Sequence, residues 1–473
     1  MTEHQLFLFL AEVVVLFTAA KIGGELAARL GLPLHVGELV FGMLLGPSFL
    51  GWMWPEAFEA LFPAEPLQRS LLDIVSWIGI IFLVLIGGLE TRLGILRQTP
   101  MAVLGGWIGG FGLPFIAGFA LGMVFPEQLV PGSIDRSVFA LFLATAMSIS
   151  AIPVIARILM DLDLYRTRIG MIILSTAIAD DTIGWVVLSI VAGLASGGVE
   201  VDAIARTVLL TAGFLLLAFT FGKKFVREAM RFSARRLTVP YSQVSMMLLL
   251  VFAFGAITQA IGVHLVLGAF VAAILIGRIQ RIDPEAVAAV RQVGMGFFVP
   301  FFFAYTGIKV DLTALRGNAA IFTVLAVLVA CLGKIIGGGL GARLGGLPRW
   351  EALAVGFGLN ARGAMELVIA AIGLSIGVLN DATYAIIVLI AVITTVMAAP
   401  LLKFCVTRAG PQALEPLPGV SEPTVDPGAY PEVVLADPRG SDRGPLGARL
   451  GQTGEQTDRE RRARGGEQPP RDR

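Results

Sequence analysis

Two aspartates, Asp180 and Asp181, stand side by side in residues 175–185 (STAIADDTIGW), inside an otherwise apolar run. A charged side chain at the centre of a membrane-crossing helix costs about 2.5 to 3.5 kcal/mol even on the lower insertion scales, so acids placed there face a cavity and bind or relay ions. Adjacent helical positions point about 100° apart, and the two carboxylates can therefore hold different partners and different jobs. A cation to match them is Lys334, in residues 331–342 (CLGKIIGGGLGA), where glycines allow a neighbouring helix to come close. A buried lysine is charged beside a carboxylate and neutral without one, which suits it to proton exchange. The competing reading has Lys334 snorkelling toward the surface near Arg343.

Two further stretches have the character of interrupted helices. Residues 145–157 (TAMSISAIPVIAR) combine Pro153 with small hydroxyl residues, Thr145 and Ser148 among them; residues 356–370 (GFGLNARGAMELVIA) place Asn360, Arg362, Gly363 and Glu366 in a long apolar span. A helix broken at mid-membrane offers carbonyls and half-helix dipoles to a bound ion. A proline kink without function is the alternative for the first. Arg157, Arg362 and Glu366 are expected to pair and fix these segments, because unpaired intramembrane charges are costly.

The elements that must carry these residues are membrane spans. Of 473 residues, 56% are hydrophobic and 15% charged, whereas soluble domains average about half and a quarter. Apolar runs of about 20 residues, enough to cross the hydrocarbon core, recur from Gln5 to Val406. Read by hydropathy they make thirteen spans, and the fold class is an all-α polytopic membrane protein. Lys and Arg concentrate in alternate connections, which puts the N-terminus outside and the C-terminus in the cytoplasm. Residues 82–97 (FLVLIGGLETRLGILR) match 301–316 (FFFAYTGIKVDLTALR), with Gly88 over Gly307 and Arg97 over Arg316. Equivalent segments then start on opposite sides of the membrane, the inverted-repeat plan of many secondary transporters, with a span near 203–226 joining the halves. From residue 409 the composition turns to Pro, Gly, Glu and Arg, the signature of a disordered cytoplasmic tail, without the GxGxxG turn of a nucleotide-binding domain.

Other chemistries fit less well. Cys331 and Cys405 lie in apolar runs without CxxC spacing, and His4, His35 and His264 are scattered with no HExxH, so neither a zinc framework nor a metalloenzyme is indicated. No basic patch interleaved with aromatics points to nucleic acid. An intramembrane aspartyl protease needs two acids converging from different helices, which adjacent Asp180 and Asp181 do not supply. An ion channel remains a competing class, and the inverted repeat favours a carrier.

Three segments together, 179–182 (ADDT), 333–337 (GKIIG) and 358–366 (GLNARGAME), resemble signatures of the monovalent cation:proton antiporter family, in the sodium/proton exchanger branch of its cation:proton antiporter-2 type. The resemblance covers residues 6–406. It implies a thirteen-span protomer with two crossed, broken helices, divided into a dimerisation part (about 6–90 and 242–309) and a core part (about 100–195 and 318–406). It implies that Asp181 carries the ion or proton, that Asp180 pairs with Lys334, and that Thr145 and Ser148 lie by the crossing. The activity implied is exchange of a monovalent cation, Na+ favoured and K+ possible, for H+ by alternating access, with a K+/H+ antiporter or K+ efflux protein as the alternative. The expected partners are the transported ions, membrane lipids and a second copy in a homodimer, with no nucleic acid and no cofactor. The expected location is the inner or plasma membrane. Should Lys334 release its proton as Asp180 engages the cation, two protons exchange for one cation.

Overall fold

In a computed structural model, residues 2–63, 65–90, 100–165, 167–197, 201–279 and 282–410 are described. They form helices joined by short connections, as a hydrocarbon solvent demands, because only a helix or a closed barrel satisfies its backbone hydrogen bonds internally. The chain divides into two units, Met1–Glu422 and Pro423–Arg473; the expected disordered tail lies, from residue 411, outside the described residues.

The first half contains α1 (Glu3–Arg29), α2 (Leu34–Leu45), α3 (Pro66–Glu90), α4 (Pro100–Met123), α5 (Arg136–Ser148), α6 (Ile152–Asp161) and α7 (Arg168–Gly197). There follow α8 (Val201–Leu217), which runs through a π-helical turn at Ala218–Gly222 into α9 (Lys223–Arg236). The second half contains α10 (Ser242–Ala260), α11 (Leu265–Gly277), α12 (Pro284–Val293), α13 (Val299–Ile308), α14 (Asn318–Leu344), α15 (Arg349–Leu359), α16 (Ala364–Ser375) and α17 (Asp381–Ala409). Ten described helices, counting runs that pass through a π-turn or short break as one, are long and apolar enough to cross a membrane. Three shorter apolar ones, Arg136–Ser148, Leu265–Gly277 and Met365–Ser375, accompany them.

Near 137–159 and 352–377, where hydropathy reads single spans, the chain forms a pair of half-helices each time: α5 with α6, and α15 with α16. In the first, Ile149 and Ala151 are extended and Pro153 opens α6, where its missing N–H is not needed. In the second, the helix stops at Asn360 and restarts after Gly363, whose φ of 148° is open only to glycine. Each broken pair is preceded by one long helix and followed by another: α4, α5/α6, α7 and α14, α15/α16, α17.

Those two preceding helices pack on each other through glycines. A Cβ added at Gly109 would lie 2.0 Å from the Gly337 carbonyl oxygen, and one at Gly105 would lie 2.2 Å from that of Gly341. Without a hydrophobic drive between helices in lipid, such backbone contact is what holds them. The repeat seen in the sequence has a physical counterpart too: Gly88 closes α3 onto Ala273 of α11, and Gly307 closes α13 onto Leu39 of α2. Residues 91–97 of the first copy lie outside the described residues.

Candidate functional site

The two breaks meet. The Ala151 N–H donates to the Ala361 carbonyl at 3.3 Å, so unwound backbone from one broken helix is tied to that of the other. At this crossing α7 presents its paired acids, which are 0% and 1% exposed for Asp180 and Asp181. Lys334 Nζ, extended from α14, donates to Asp180 Oδ2 at 2.5 Å and is itself fully buried. The lysine thus turns to the acid and does not snorkel. Ser150, in the first break, places Oγ 2.8 Å from Asp180 Oδ2 and 2.9 Å from the Leu359 carbonyl.

Asp181 is held differently. Neither of its carboxylate oxygens has a hydrogen-bond partner among the described residues, and Asp180 Oδ1 is likewise unpartnered. The Asn360 side-chain oxygen and the Thr176 hydroxyl are also buried without partners. Buried polar atoms are almost always satisfied in proteins, so carboxylate oxygens left over at such depth are groups able to take up an ion, a proton or water. Two Asp181 oxygens with Asp180 Oδ1 supply hard, anionic donors of the kind that bind small cations.

Arg362 fastens the crossing. From the second break its guanidinium donates to the Ala146 carbonyl at 3.1 Å and to the Met147 carbonyl, both in the last turn of α5, and to Glu366 Oε1 at 2.8 Å. The last carbonyls of a helix have no partner of their own and carry a partial negative charge, so an arginine there satisfies and neutralises them together. Thr395 Oγ1 of α17 in turn donates to the Arg362 carbonyl at 2.6 Å. The expected Arg362–Glu366 pair is present; the Arg157 side chain lies outside the described residues, although its backbone is part of α6.

Thr145 and Ser148 are buried in the last turns of α5, next to the break. Both hydroxyls donate within the helix, to the Leu141 and Ala144 carbonyls at 2.7 Å each, leaving only their lone pairs for a ligand. The serine that reaches Asp180 is Ser150. Its one sequence signal was a hydroxyl three residues before Pro153, inside the break between α5 and α6. From a third direction, His35 of α2 abuts the second break: a Cβ at Gly363 would lie 2.6 Å from its Nε2.

A helical membrane protein with carboxylates and a lysine buried where two interrupted helices cross is built as a carrier of small cations. The chain belongs to the family described as "Sodium/hydrogen exchanger, transmembrane", which matches residues 13–408. It is 31% identical over 405 residues to Na(+)/H(+) antiporter NhaS4 of Synechocystis sp., covering 85% of this chain and 98% of that protein. To Na(+)/H(+)-K(+) antiporter GerN of Bacillus cereus it is 29% identical over 398 residues, covering 84% and 96%. It is 32% identical over 406 residues to Cation/H(+) antiporter 18 of Arabidopsis thaliana, covering 84% of this chain but 49% of the plant protein, so the chain spans about half the length of that relative. The fold is shared with the sodium proton antiporter MjNhaP1 of Methanocaldococcus jannaschii, with a TM-score of 0.60 at 15% identity over 85% of this chain and 98% of that one.

Proposed function

We propose that the protein exchanges a monovalent cation for protons across a membrane, and that Asp181 is the group for which they compete. The observation that carries this is the asymmetry of the two acids: Asp180 is engaged by Lys334 and Ser150, whereas neither oxygen of Asp181 has a hydrogen-bond partner among the described residues. Counting the charged groups at the crossing, Lys334 and Arg362 face Asp180, Asp181 and Glu366, so two positive charges meet three negative ones and one negative charge is left over. In a medium that penalises unpaired charge, that carboxylate crosses only when neutralised, by H+ or by a cation. Competition for one site is then the coupling.

Sodium is the preferred cation, as the names of NhaS4 and GerN suggest by analogy; GerN's name also includes K+, which keeps potassium as the second reading. The core part, about 100–195 and 318–406, carries the site past a dimerisation part, about 6–90 and 242–309, in a homodimer of the inner or plasma membrane. The N-terminus lies outside and the cytoplasmic side receives the Lys- and Arg-rich connections.

The test is proton movement in proteoliposomes on addition of Na+ or K+, followed with an internal pH dye. The wild type alkalinises or acidifies the lumen according to the imposed cation gradient, and Asp181→Asn abolishes the response while leaving a folded protein. Full activity in Asp181→Asn would remove the assignment of the site, and a response to K+ alone would exchange the two readings of the cation.

A further inference from the structure

The helix that joins the two halves is longer than a bilayer needs. Continuous from Val201 through the π-turn to Arg236, it runs for roughly 54 Å at 1.5 Å per residue, against a hydrocarbon core of about 30 Å. The surplus is α9, and its composition differs from that of every span. Lys223, Lys224, Arg227, Arg231, Arg235 and Arg236 are all exposed, and the only acid among them, Glu228, is already engaged by Arg231 at 2.9 Å.

The arrangement around the helix is informative. Val226, Met230 and Ser233 form the buried stripe, which packs against α10 and α11. At about 100° per residue, Lys223, Arg227, Arg231, Lys224 and Arg235 share one arc of roughly a third of a turn, while Phe225 and Phe232 lie together roughly 130° from its centre, with Arg236 beside them. Those two phenylalanines are 61% and 53% exposed. A further cation comes from another element: Arg278, at the end of α11, holds its guanidinium carbon 5.6 Å from the centre of the Phe219 ring on the π-turn.

A soluble polyanion would leave Phe225 and Phe232 in water, and a purely apolar partner would leave the cations uncompensated. A layer of anionic headgroups above acyl chains satisfies both arcs of one helix together. From this charge complementarity we infer that α9 with Arg278 is a docking surface for anionic phospholipid on that face of the membrane, seating phosphates along the cationic arc with the phenylalanines in the interfacial zone beside the headgroups. This surface is separate from the ion site and does not depend on the exchange reading.

The test uses the full chain in detergent, exposed to equal amounts of phosphatidylglycerol and phosphatidylcholine with the same acyl chains; the lipid retained through size exclusion is extracted and quantified. The wild type is expected to retain phosphatidylglycerol at least fivefold over phosphatidylcholine, and this ratio falls toward one as NaCl is raised from 50 to 500 mM, where about 10 Å of screening length shrinks severalfold. The variant Lys223→Gln/Lys224→Gln/Arg227→Gln/Arg235→Gln brings the ratio within twofold of one at low salt, whereas Arg227→Lys/Arg235→Lys keeps it. A wild-type ratio near one, as would follow if an acidic protein segment occupied the surface, overturns the inference. So does a ratio indifferent to salt, or one that the four-site variant preserves.

Discussion

Asp180 and Asp181 are neighbours in sequence and opposites in surroundings. Lys334 and Asp180 are both fully buried and 2.5 Å apart, and removing one member of such a pair leaves the other as an uncompensated charge, at a cost of about 3 to 5 kcal/mol. Lys334→Gln is therefore expected to lower the thermal unfolding midpoint by several degrees, and Asp180→Asn to do the same by stranding the lysine. The double variant, with a neutral amide at each position, recovers most of that loss, since no stranded charge remains. Losses that simply add in the double variant would show that the pair is not coupled. The acids and the lysine were legible in the sequence because a charge in an apolar run is rare and expensive. Ser150 was not, since a membrane serine usually bonds a carbonyl of its own helix, as Thr145 and Ser148 do here. Only the break frees its backbone from that habit and turns it to Asp180.

The elements matter because a broken helix is stable only if its freed ends are satisfied. Arg362 answers for the end of α5, and Gly363 makes the restart of α16 geometrically possible, at φ 148° and with His35 Nε2 in the space a side chain would need. Gly363→Ala thus meets two separate obstacles. Backbone strain of this kind costs about 1 to 3 kcal/mol, and the clash with the imidazole adds to it. We expect Gly363→Ala to lower both the melting temperature and the exchange rate, and Gly363→Ala/His35→Ala to recover only the part due to the clash. Complete recovery in the double variant would mean that the backbone angle is no constraint, and no recovery that His35 does not touch the break. Pro153, Asn360 and Gly363 signalled where the helices would be interrupted, and the breaks fall there. What the residues did not announce was the Ala151–Ala361 hydrogen bond that joins them, or the π-turn that carries the connecting helix on to Arg236. The first joins elements far apart in the chain, whereas hydropathy reads each span alone.

At the scale of the whole molecule the question is how much charge crosses with each cycle. With protons on Asp181 and Lys334, the crossing carries no net charge: Lys334 and Arg362 balance Asp180 and Glu366. If the cation proposed to bind at Asp181 also engages Asp180, it would draw on the charge that stabilises the ammonium of Lys334, and a buried ammonium without its counter-charge would give up its proton. On that extension of the proposed exchange, the cation-bound site would hold one unit of charge less than the protonated one, in contrast to simple one-for-one competition at Asp181, and a full cycle would move two protons against one cation. Voltage would act on a carrier of that stoichiometry. With pH equal on both sides, a tenfold cation gradient, worth about 1.4 kcal/mol, is balanced by a membrane potential of roughly 60 mV, since one charge gains about 2.3 kcal/mol per 100 mV. Proteoliposomes whose potential is clamped with valinomycin at several K+ ratios, and loaded with a tenfold Na+ gradient, should therefore show proton flux reversing sign near that potential. Lys334→Gln, which has no second proton to release, is expected to exchange one for one and to lose the reversal. Flux in the wild type that ignores the clamped potential would confine the exchange to Asp181 alone and leave Lys334 a fixed counter-ion to Asp180.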